Sequence, residues 1–174
     1  MDSFNIDNFL LPKAKDHKKE YGDRYVEHYL EQYRLYLHIF NATIERRQKS
    51  NEFFMGLNTA IIAFLGYIEV KDIEPAPSTP IIFLFVPVIG ICFCYSWFLM
   101  IRSYKNLNRA KFKVIHHIEK NLPLSNFETE WEILGRAKDK TKYRTLSSIE
   151  KNIPLIFSVL YVIVFMANFS QVHF

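Results

Sequence analysis

The residues able to do acid, base or metal chemistry are few in this chain, and their spacing works against it. His116 and His117 are adjacent, so on a helix they point about 100° apart and each would need ligands from elsewhere. Without such partners they read as surface bystanders. Cys92 and Cys94 differ by two positions, about 200° around a helix, and cannot grip one metal ion together; packing is their expected role. Alternate members of Glu128, Glu130 and Glu132 face away from each other and read as a solvated face. Ser147 and Ser148 are better explained as helix caps than as nucleophiles. Ser125 with Glu128, and Ser147 with Glu150, have capping-box spacing. The five glycines are scattered, so no loop cradles a phosphate. The expectation is a chain that is not an enzyme and has no cofactor and no metal.

More telling are the polar residues inside apolar runs. Asn58 and Thr59 lie within FFMGLNTAIIAFLGYI, residues 53–68. An amide at membrane depth must hydrogen-bond another helix or water. Asn58 therefore reads either as the lining of a water-filled path or as interhelical glue. Phe54, Asn58 and Ile62 share one face, and a pore lined by it would be narrow, mostly hydrophobic and gated by dewetting. Thr59 and Ser96 are weaker candidates, because a hydroxyl can bond its own helix backbone.

The elements that must position these residues are three uncharged blocks. Residues 53–68 form the first, extended to a 53–70 span if Glu69 and Val70 reach the interface. The second is IIFLFVPVIGICFCYSWFLMI, 81–101. A bilayer core of about 30 Å needs roughly 20 apolar helical residues. Soluble helices rarely stay apolar around their full circumference for this length. The 71–80 linker, with Pro75, Pro77 and Pro80, is too short to be a domain, so the pair reads as a transmembrane hairpin. Pro87 is expected to kink its second helix and Gly90 to permit close approach of a neighbour. The third block, within 147–169, carries no charge from Ile153 to Phe169. It reads as a third span with the C-terminus outside, against a rival in which it packs in the interface or between subunits.

Arg46, Arg47 and Lys49 precede the first span. Arg102, Lys105, Arg109, Lys111 and Lys113 follow the second, whereas the linker holds Lys71 against Asp72 and Glu74. This asymmetry predicts cytoplasmic flanks, a cytoplasmic N-terminus and an external linker. Residues 1–22 read as a flexible leader that offers Phe4, Phe9, Leu10 and Leu11 for docking. Asp23 then caps a stalk helix, 23–52, whose Val26, Leu30, Tyr33, Leu37, Phe40 and Ile44 follow a heptad seam. The seam fits self-association and also fits packing against the chain's own later helices. The helix can continue into the first span, on the order of 70 Å in all at about 1.5 Å per residue. Residues 102–121 are predicted to continue the second span as a cytoplasmic helix returning antiparallel to the stalk. A short acidic helix anchored by Trp131 and Leu134, and a basic linker, fill 122–146.

The chain of 174 residues carries a mild net charge of +4, gathered where the spans meet water. Its Lys and Arg residues could meet anionic lipid headgroups, bind a nucleotide-type ligand, or pair with glutamates of the stalk. Nucleic acid is not needed to explain them.

The runs RRQKSNEFFMGLNTAIIAFLG, WFLMIRSYKNLNRAKFKVIHHIEKNLP, EWEIL and SSIEKNIPLIF, in that order, resemble the RipA-type octameric family of small bacterial inner-membrane proteins over roughly residues 33–166. More distantly the layout is similar to SLATT proteins, two-span effectors proposed to perforate membranes in nucleotide-signalling and antiphage systems. The resemblance implies a homo-oligomer, octameric in the family, in the cytoplasmic membrane. Neither family supplies catalytic residues. The matching positions are Arg46, Arg47 and Asn58 around the first span, and Arg102, Ser103 and Tyr104 after the second. A third span sets the chain apart from a simple two-helix pore. The expected fold is an all-α membrane protein: a transmembrane hairpin with long cytoplasmic extensions and a C-terminal apolar helix, assembled as a homo-oligomer. The expected function is a pore or permeability effector in stress or antiphage defence. The alternative is a non-conducting scaffold or regulator that organises lipids or a partner protein.

Overall fold

A computed structural model describes residues 19, 21–70, 79–137, 143 and 145–172. A 3-10 turn, Gly22–Arg24, leads into α1 (Tyr25–Val70). It is followed by α2 (Thr79–Glu119), α3 (Asn126–Ile133), a second 3-10 turn (Gly135–Ala137), α4 (Leu146–Glu150) and α5 (Asn152–Val172). There is no strand among the described residues. The 1–18 part of the leader, residues 71–78 of the linker, residues 138–142 of the basic segment and the side chain of Ser147 lie outside the described residues.

Proline placement explains the helix limits. No proline interrupts α1. Pro80 and Pro154 fall in the first turns of α2 and α5, where a missing N–H costs nothing. Pro123 follows the end of α2, which it cannot continue. Pro87 lies inside α2, and the helix continues through it with the ring fully buried. Asp23 sits within the 3-10 turn, so it does not cap α1 as expected; the tighter turn takes over the start of the helix. Three of the described helices are long and apolar enough to cross a membrane: α1, α2 and α5.

The chain divides into two compact units, and both long helices contribute to each. The first unit holds the described parts of Met1–Ile44 and Asn106–Tyr143. In it, the start of α1 lies antiparallel to the end of α2. The Tyr29 hydroxyl donates to the Ile118 carbonyl at 2.8 Å, the ammonium of Lys111 lies 5.5 Å above the Tyr36 ring, and Phe40 meets Phe112 edge to face. Phe127 of α3 closes an aromatic cluster with Phe40 and Phe112. Offset and edge-on rings of this kind add to the burial of their apolar area.

The second unit holds Glu45–Lys105 and the described part of Arg144–Phe174. Its core is built from α1, α2 and α5: Leu65, Phe83, Cys94, Trp97, Ile101 and Tyr161 are buried. Phe54 stacks on Trp97, which also meets Phe157. Gly90 lies against the Tyr161 ring so closely that a Cβ there would overlap three ring carbons. The close approach expected at Gly90 is thus made by the C-terminal helix, and small residues are what permit such contacts between spans.

Candidate functional site

The polar residues of the spanning unit converge on Asn58, which is fully buried. Its amide donates to the Phe54 carbonyl one turn back, at 2.7 Å. Its Oδ1 accepts from the Tyr161 hydroxyl of α5 at 3.0 Å and from the Cys94 thiol of α2 at 3.3 Å. One side chain therefore ties three helices, and its oxygen is fully used inside a single chain. Thr59, the next residue, is exposed on the outer face. Ser96 donates to the Cys92 carbonyl of its own helix, as an isolated hydroxyl in a helix does.

A second tie closes the charged end of the unit. Arg47 is buried, and its guanidinium donates to Glu150 Oε1 at 2.7 Å. Both side chains are mostly covered, so each charge depends on the other. Arg46, Arg102 and Ser103 are exposed, and Tyr104 is half-buried. Of the positions singled out beside the first span, Arg46 faces outward and Arg47 inward. Four residues further along α1, Asn51 accepts the Trp97 indole N–H at 2.9 Å. The partners of α1 in α4 and α5 keep one register, Arg47 with Glu150 of α4 and Asn58 with Tyr161 of α5, so α1 runs parallel to the C-terminal helices.

In the first unit Glu119 is the polar centre, 1% exposed. Its carboxylate accepts from the backbone N–H groups of Phe127 and Glu128, at 3.1 and 3.2 Å, and from the Tyr33 hydroxyl at 3.1 Å. Glu119 therefore caps α3. The expected Ser125–Glu128 box does not form: Ser125 makes no side-chain cap bond and turns to the Glu119 carbonyl. A carboxylate is the stronger acceptor for the positive end of a helix. The second expected box fails for a different reason. α4 starts at Leu146, before Ser147, and the Glu150 carboxylate is held by Arg47. Burial, followed by the nearby Glu119 charge and hydrogen bond, pushes the Tyr33 phenol up to about 12.

His116 and the acidic helix are not bystanders. His116 Nδ1 lies 2.7 Å from Glu128 Oε2, and Arg136 bridges Glu128 and Glu132. Glu128 and Glu132 are one turn apart and so share a face, which the alternation argument had hidden. Gly135 and Arg136 adopt left-handed backbone conformations, φ 65° and 51°, which turn the chain back so that Arg136 reaches both carboxylates.

The stalk seam divides. Tyr33, Leu37 and Phe40 are wholly or partly covered within the unit, whereas Val26, Leu30 and Ile44 stay exposed. Sequence reasoning did not single out Tyr161, Glu119 or Cys94 as polar partners, and it paired Glu150 with Ser147 rather than with Arg47. For two of them a signal existed: Tyr161 is a phenol in the middle of the uncharged 153–169 run, and Glu119 is the acidic residue that ends a long amphipathic stretch. The described residues contain no cluster of His, Cys, Asp or Glu arranged to hold a metal ion.

The model of the octameric membrane protein family (8xMP) matches residues 30–170 of this chain. No curated protein and no solved structure matches it.

Proposed function

Because the chain belongs to the octameric membrane protein family, we propose that it acts as a homo-octamer in the bacterial cytoplasmic membrane, as a non-conducting scaffold with no catalytic chemistry. That it is an oligomeric, all-helical membrane protein follows from its membership and its three apolar helices. The scaffold role rests on one observation: the Asn58 oxygen is used inside the protomer by Tyr161 and Cys94. The outward faces of the spans are then mostly apolar, with Phe53, Phe85, Ile89 and Ile163 among the exposed residues. Such faces suit lipid and neighbouring copies, and they offer water few groups to replace its own hydrogen bonds.

The N-terminus is cytoplasmic in this reading, supported by the Lys and Arg residues that flank the first two spans and are scarce in the 71–80 linker. Since α1 and α5 run parallel, the C-terminus lies outside. The exposed Arg46 and Arg102 would meet anionic headgroups. A nucleotide-type ligand or a partner protein at the basic cytoplasmic segments belongs to the same proposal.

The second reading, a permeability effector in stress or antiphage defence, is favoured by Thr59, a hydroxyl left on the outer face of a span. Flux of a small dye from proteoliposomes separates the two. The scaffold predicts no release above that of empty vesicles, for the native chain and for Thr59→Val alike. Release that falls in Thr59→Val would reject the scaffold in favour of the pore.

A further inference from the structure

We propose that the copies assemble as a ring through two different stripes on the extramembrane part of α1, each stripe of one copy packing on the opposite stripe of the next. The inference rests on the homo-oligomer proposed above and adds the surface that builds it.

Tyr29, Tyr33, Tyr36 and Phe40 point at the chain's own α2 and α3. On one flank of that face, roughly 60° around the helix, lie Val26, Leu30 and Ile44; on the other flank, roughly 110° away, lie Leu35 and Ile39. All five are exposed, Val26 to 65%, Leu35 to 56% and Ile39 to 54%. The remaining side of the helix carries Glu27, Glu31, Arg34 and His38, all exposed, and is a solvated face. Outside the spans, lipid does not cover apolar side chains of this size, so a protein surface must.

Symmetry decides what kind of surface. Copies inserted in one orientation cannot be related by a two-fold axis lying in the membrane plane, because that axis would invert half of them. Only rotation about the membrane normal remains. In a ring of more than two members every interface is heterologous, so each copy must present two unlike, complementary patches. α1 carries two such patches on opposite flanks, one at residues 26, 30 and 44 and the other at 35 and 39, so the nearest members of the two, such as Ile39 and Ile44, lie about 7.5 Å apart along the axis. Rotation also keeps neighbouring helices parallel, so residues of similar number meet.

The test uses the full chain in membranes, with Cys92→Ser and Cys94→Ser removing both native cysteines; serine keeps a donor for Asn58. Into this background go Ile39→Cys and Ile44→Cys, singly and together, followed by a short bismaleimide. The two positions face about 140° apart on one helix, and a link within one chain would leave the monomer mass on a denaturing gel and add nothing to a ladder. The double variant is expected to give a denaturing-gel ladder climbing past the dimer, and each single variant no cross-link. Dimers from a single variant would overturn the proposal, since they require a self-complementary contact. An uncross-linked double variant that native mass spectrometry still finds oligomeric would also overturn it and leave the homo-oligomer standing, as when the chain's own residues 1–18 cover the stripes. A monomer by the same measurement would overturn the homo-oligomer itself.

Discussion

An amide inside a lipid-spanning helix can take its hydrogen bonds only from protein or trapped water. Asn58 takes them from a backbone carbonyl, a phenol and a thiol. Asn58→Leu fits the space but takes the acceptor from the Cys94 thiol and leaves the Tyr161 hydroxyl only its longer contact to the backbone carbonyl of residue 58, at 3.4 Å. A loss of about 1–3 kcal/mol is expected for stranding such a group. Thermal unfolding in detergent should show it, and adding Tyr161→Phe should recover part of the loss by removing the stranded donor. No recovery would mean that Asn58 acts through shape alone. Tyr33 supplies a prediction outside the spans. Its phenol rises from the ordinary 10.0 to about 12 in the folded chain. Below pH 10 the phenol is protonated both folded and unfolded, and its contribution to stability is fully present. From pH 10 to about 12 the unfolded chain releases its proton while the folded chain keeps it, so that stability is lost across this window. Tyr33→Phe should flatten that part of the stability profile, and the phenolate absorbance assigned to Tyr33 should not appear before unfolding.

At the scale of elements, the C-terminal helices are attached to the hairpin by the Arg47–Glu150 ion pair of α4 and, through α5, by the Tyr161–Asn58 hydrogen bond and the close approach at Gly90. Arg47 and Glu150 are both largely covered, so removing one partner strands the other. Arg47→Ala is expected to cost about 3–5 kcal/mol, whereas replacing both residues with apolar ones of similar size should cost much less. Urea unfolding in mild detergent would compare these variants with Glu150→Ala, and a double-variant loss equal to the sum of the two single losses would show that the pair is not coupled. Gly90→Leu drives a side chain into the Tyr161 ring, a rigid neighbour with no flexible end to move aside. α5 should then leave its seat. A Ser170→Cys label in a background with Cys92 and Cys94 replaced by serine reads the consequence. It should react from outside the membrane in the otherwise native chain and lose that one-sided reactivity in Gly90→Leu.

At the scale of the molecule, each unit is built around one buried polar side chain, Asn58 in the spanning unit and Glu119 in the other, but they leave different surfaces open. The spanning unit satisfies its buried amide, Asn58, internally and turns mostly apolar span surface outward. In the other unit α2 and α3 cover the tyrosine and Phe40 face of α1, which leaves apolar stripes beside a charged face. Both patterns describe a chain whose remaining apolar surface needs lipid or further copies of itself. Membership of an octameric family accords with that need.

The amino-acid order alone determined that this is an all-helical membrane protein. Hydrophobic length, the absence of charge and the position of prolines are local properties, and a bilayer reads them locally. Heptad spacing likewise announced that α1 buries a face, and Gly90 announced a close neighbour. Which partner each face meets was decided only by the tertiary structure. The seam was compatible with self and with α2, and the folded chain gives its centre to α2 while leaving Val26, Leu30 and Ile44 open. The Ser125 cap was misread because a capping box is judged over four consecutive residues, whereas the carboxylate that caps α3 arrives from the preceding helix. Asn58 was legible as a residue that needs partners. That they are Tyr161 and Cys94 depends on a pairing between positions more than a hundred residues apart in one case, and spacing within one helix carries no record of it.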